Sequence, residues 1–150
     1  MKSNYNERLL KIIPEVNKRY FKQIFVYEYK FGNSIRIFSE RYKVPYINLN
    51  LEMSHLLKDI PKDRRTYKIA DVLNQIINSY QENIICIDYY ELLFDPVLSI
   101  NVFDLFKNAS RNKTLIIAWR GTISEDHFIH AKPGHPEYKK NSTHDVVIVK

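Results

Sequence analysis

Apolar positions along this chain switch between a period near 3.6 and short continuous runs, and that switching sets the expected fold. Leu9, Ile13, Val16 and Tyr20 recur at helical spacing, which predicts an amphipathic N-terminal helix over about 5–20 with one buried face. The run Ile24-Phe25-Val26-Tyr27 reads as a strand. After the loop around Gly32, Ile35, Phe38 and Tyr42 return to helical period, and Pro45 marks the approach to a second strand, Tyr46-Ile47-Asn48-Leu49-Asn50. Ile69, Leu73, Ile76, Ile77 and Tyr80 mark a longer helix leading to the most apolar run, Ile84 to Ile87, expected as a central strand buried on both faces. A helix carrying Val102, Leu105, Phe106 and Ala109, the strand Thr114 to Trp119 and a last strand at Val146 to Val149 complete the series.

Strands that alternate with helices predict an α/β domain with three layers and a mainly parallel sheet of about five strands. Ligands of such sheets lie at the carboxyl ends of the strands. The 150 residues suit a single domain with one real core. No run approaches the roughly 20 apolar residues of a membrane helix, and the first residues lack a signal-peptide pattern, so the expected setting is cytoplasmic with no membrane partner.

Charge alters this picture only slightly. Lys and Arg exceed Asp and Glu by 23 to 17, a net charge of +6, which permits attraction to nucleic acid or an acidic partner. The basic residues read as scattered apart from Lys62 to Arg65 and Lys139-Lys140, the pattern of a solvated surface. The single cysteine, Cys86, sits in an apolar run and is expected in the core rather than as a nucleophile. The five histidines show no metal-ligand spacing, and His135, between Gly134 and Pro136, reads as a turn residue.

Candidate chemistry starts at the loop after the first strand. A phosphate-binding loop G-x-x-x-x-G-K-[ST] works because glycines bring backbone amides to phosphate, Lys neutralises the β and γ phosphates and the hydroxyl binds magnesium. Tyr27-Glu28-Tyr29-Lys30-Phe31-Gly32-Asn33-Ser34 keeps Gly32 and Ser34, but Tyr27 replaces the first glycine and Asn33 the lysine. Glu28 adds charge of the wrong sign, and Lys30 or Arg36 would have to supply the missing positive charge. Asp88, ending its apolar strand, is a candidate magnesium residue together with Glu91; the two carboxylates equally suit capping of the following turn. Arg120, after the fourth strand, reads either as an anion contact or as an arginine stacked on a tyrosine or paired with a carboxylate. Taken as a nucleotide site, the candidates are Lys30, Gly32, Asn33, Ser34 and Arg120, with ATP and magnesium as the possible cofactors.

Several ordered stretches carry a family resemblance: Tyr46 to Ser54, Glu91 to Pro96, Ser110 to Thr114, Ala118 to Thr122 and Pro133 to Tyr138. In these the chain resembles BrxF, the small P-loop component of type III BREX phage-exclusion systems. The chain departs from the family pattern at the Tyr27 to Ser34 loop, which members carry intact, and at Arg120, where members carry Asn. The resemblance implies a P-loop NTPase fold and a place beside a large ATPase, a methyltransferase and a phosphatase-like protein. Three functions follow as expectations: a binding or assembly subunit with a degenerate loop, an ATPase completed alone or across a homo-oligomer, and a DNA-contacting adaptor.

Overall fold

The computed structural model describes residues 2–29 and 31–150, with side chains from Tyr5 onward. Five parallel strands form the main sheet: β1 (Gln23–Tyr27), β2 (Tyr46–Asn48), β3 (Ile84–Asp88), β4 (Thr114–Trp119) and β8 (Val147–Val149), in the order β2-β3-β4-β1-β8. The expected α/β class with a parallel sheet of about five strands is what the chain forms. Val26 and Ile87 lie on strands separated by β4 alone. From β1 the chain leaves toward β2 on one edge, and from β4 toward β8 on the other. The carboxyl ends of β1 and β4 therefore flank the point where connections diverge, the place where open α/β sheets position ligands.

Side-chain alternation divides the core into two layers. Ile24, Val26, Cys86, Ile116 and Ala118 pack against Leu9, Ile13 and Val16 of α1 (Lys2–Val16) and Ile35 and Phe38 of α2 (Ser34–Tyr42). Phe25, Ile85, Ile87, Leu115 and Ile117 face the other way, onto α3 (Leu49–Leu57), α4 (Arg65–Asn78) and α5 (Val102–Ala109). Both faces of β1, β3 and β4 are covered, which is why their sequences run apolar without alternation. Cys86 is fully buried, and desolvation pushes its thiol above the usual range; it packs as a small apolar residue.

Four expectations are revised. Helix α1 stops at Val16, two residues after Pro14, and Tyr20 stands exposed; proline withholds an amide from the last turn. Strand β2 stops at Asn48, whose Oδ1 accepts from the Leu51 amide at 3.2 Å and caps α3, so Leu49 and Asn50 begin a helix instead of ending a strand. Tyr80 lies beyond α4, with its hydroxyl 3.4 Å from Glu52 Oε1. The connection from β4 to β8 also builds a small antiparallel sheet from β5 (Thr122–Ser124), β6 (His127–His130) and β7 (Lys139–Ser142), anchored on the core by Phe128. Among the described residues no helix is long and apolar enough to cross a membrane.

Candidate functional site

Strand register brings three charged residues to one point. Glu28 follows β1, Asp88 ends β3 and Arg120 follows β4, each two residues beyond an inward position on the α1 and α2 face: Val26, Cys86 and Ala118. Successive side chains of a strand alternate in direction, so all three turn toward α2.

Glu28 is buried, and its carboxylate lies against the start of α2. The Ser34 amide donates to Oε1 at 3.1 Å and the Ile35 amide to Oε2 at 3.2 Å. Asn33 occupies the cap position but makes no side-chain capping bond; the Glu28 carboxylate, six residues before Ser34, caps the helix in its place. Helix amides with no partner inside the helix, together with the positive end of the macrodipole, favour an anion there. Such a helix start is the point at which a phosphate loop holds phosphate, and in this chain the anion is the protein's own.

Gly32 is required by the same turn. A Cβ at this position would lie 2.0 Å from the Glu28 carbonyl oxygen, so the loop closes with backbone pressed against backbone. Tyr29 adopts the left-handed region at φ 60°, and its ring stacks on Tyr27 at 4.2 Å. The glycine expected for phosphate approach thus serves contact between two parts of one loop. Lys30 lies outside the described residues.

Arg120 joins the two carboxylates. Its Nε donates to Asp88 Oδ1 at 2.8 Å and its Nη2 to Asp88 Oδ2 at 2.8 Å, while Nη2 stands 3.8 Å from Glu28 Oε2. The guanidinium also lies over the Tyr89 ring, 4.6 Å from its centroid. Hydrogen bonding to Asp88 holds the Arg120 proton more firmly than usual. Of the readings given for Arg120, the carboxylate pairing and the tyrosine stacking are both present. The Tyr46 hydroxyl donates to Asp88 Oδ2 at 2.5 Å; burial and that bond push its pKa upward. Tyr46 carried no signal of its own in the sequence, because only the β2–β3 register sets it beside this strand end.

Asp88 is fully buried, and its two oxygens meet Arg120, Tyr46 and the Tyr89 amide, the last at 2.9 Å. Glu91 turns to other work: its Oε2 accepts from Asn50 Nδ2 at 2.6 Å, while Asn50 Oδ1 accepts from the Leu92 amide, tying α3 to the turn after β3. Among the described residues no group of three or more His, Cys, Asp or Glu side chains could hold a metal.

Magnesium and ATP fit these residues poorly. Phosphate at the α2 start would have to displace a buried carboxylate that is already bonded there. Magnesium at Asp88 would have to compete with a bidentate guanidinium. The adjoining cleft, bordered by Tyr89, Glu91, Arg120, Gly121 and His130, holds about 230 Å³, below the ~300–1,000 Å³ of small-molecule sites. The constellation is well suited to locking β1, β3 and β4 to α2. Compared with protein-family models, curated proteins and solved structures, the chain matches none.

Proposed function

We propose that this chain is a non-hydrolysing binding or assembly subunit of a BREX-type phage-defence complex, built on a P-loop-like domain whose anion cradle is closed by Glu28. The observation that carries the reading is the Glu28 carboxylate on the Ser34 and Ile35 amides. A buried internal anion at that place supplies the charge that phosphate would otherwise supply, and it repels any second anion. Support for the phage-defence setting comes from the resemblance to BrxF, with the altered loop and Arg120 as the points where this chain departs from that pattern. The strand order supports the P-loop-like part, since the decayed octet follows β1 at the diverging connections.

In this role the chain contributes shape and contact surface, and ATP-dependent work belongs to the large ATPase. Tagged protein purified from cells carrying a type III BREX cluster tests the assignment. Co-purification with the large ATPase, the methyltransferase or the phosphatase-like protein in nucleotide-free buffer is expected. Recovery of the chain with none of the three, together with unchanged phage plating after its deletion, would contradict it.

A further inference from the structure

The amino ends of the strands, opposite the Glu28 cluster, carry a second constellation. Tyr20 and Phe21 precede β1 as an edge-to-face pair with centroids 4.7 Å apart, and Tyr20 is 62% exposed. Arg111, in the turn between α5 and β4, lies over Tyr20 at 4.7 Å, and Lys107 Nζ lies 4.8 Å from the Phe21 ring. Lys22 Nζ donates to the Arg111 carbonyl at 2.6 Å. Arg19, Tyr20, Phe21 and Lys107 border a cleft of about 310 Å³, and Lys22 and Arg111 stand beside it. Four cations that read as scattered in the sequence are gathered by the fold around two aromatic rings.

A residue of the cleft wall also carries an unmet acceptor. Gln23 Oε1 is shielded from solvent and has no hydrogen-bond partner, and Gln23 lines this cleft. Asp145, in the His144-Asp145 pair at 3.2 Å, is the carboxylate at the border of the cleft.

We infer that this cleft binds single-stranded nucleic acid, with the cations along the phosphates and a base stacked on Tyr20. Cations interleaved with exposed rings match the way unpaired strands are held, through backbone charge and base stacking. A duplex offers no free base face to Tyr20, and an acidic peptide would use the cations but not the ring. The inference rests on residues remote from Glu28 and stands or falls separately from the assembly reading.

Fluorescence anisotropy with a labelled mixed-sequence single-stranded oligonucleotide of about 16 nucleotides tests it. Binding is expected to weaken with salt at a slope of about −2 to −3 in log affinity against log salt, from about −0.7 per phosphate contact. Tyr20→Ala is expected to weaken binding roughly tenfold with that slope unchanged, while Tyr20→Phe retains it. An Arg19→Gln, Arg111→Gln double variant should flatten the slope by about 1.4. No binding at low salt would overturn the inference. So would binding unaffected by Tyr20→Ala, preference for a duplex, or equal competition by polyglutamate.

Discussion

The Ser34 amide donates to the Glu28 carboxylate at 3.1 Å, so the first turn of α2 is capped by the residue that leaves β1. That bond, with its companion at Ile35, makes the start of α2 an internal lock. Charge-assisted bonds to buried amides are each worth about 1.5–3 kcal/mol, and a buried amide left unmet carries its own penalty. Glu28→Ala should therefore lower stability by about 3 kcal/mol, read as the shift in urea midpoint at constant slope. Glu28→Gln, which keeps an acceptor, should lose less.

Gly32 gives a sharper steric test. An added Cβ meets backbone at 2.0 Å, and backbone cannot swing aside as a long side chain can. Gly32→Ala should cost about 1–3 kcal/mol, in the range of other forced overpacking. An unchanged melting temperature would show that the loop is open enough to take a methyl group.

Much of this frame was legible in the sequence, because β1, β3 and β4 are continuous apolar runs and α2 and α5 carry apolar residues at helical period. The Asn48 cap was hidden, since Tyr46-Ile47-Asn48-Leu49-Asn50 alternates as a strand would even though a helix begins inside it. The small sheet escaped because its strands bury little beyond Phe128, leaving weak alternation to read. At the site, Glu28, Asp88 and Arg120 each stood out at a strand end. Their mutual pairing did not, because it depends on the register of β1 and β3 on β4, which local pattern does not encode.

Arg120 offsets two buried carboxylates, and its loss should be costly. Arg120→Met leaves Asp88 charged and without its bidentate partner, a change worth about 3–5 kcal/mol in comparable buried pairs. Adding Asp88→Asn should recover part of that loss, which a double-mutant cycle reads directly. Independent, additive losses would show that the pair is not coupled.

Glu52 predicts a pH dependence elsewhere in the fold. Burial raises its pKa above the ordinary value, against a smaller lowering by the Tyr80 hydroxyl, and its Oε2 is shielded without a partner. A carboxyl with a raised folded pKa contributes stability that is fully present below its unfolded value and is lost as pH rises through the folded one. Glu52→Gln should thus melt higher than the parent at neutral pH, with the difference shrinking in acid below the ordinary carboxyl range. A difference that grows on acidification would reverse the assignment.

Calorimetric titration of magnesium ATP into the parent and the Asn33→Lys variant tests the central claim most directly. If Glu28 occupies the cradle, the added lysine should give no gain, and neither protein should bind below millimolar concentrations. Only with Glu28→Ala added should Asn33→Lys gain its contact, about 1.5–3 kcal/mol or roughly ten- to hundredfold in affinity. Sub-millimolar binding by the parent, or by Asn33→Lys with Glu28 in place, would contradict the account.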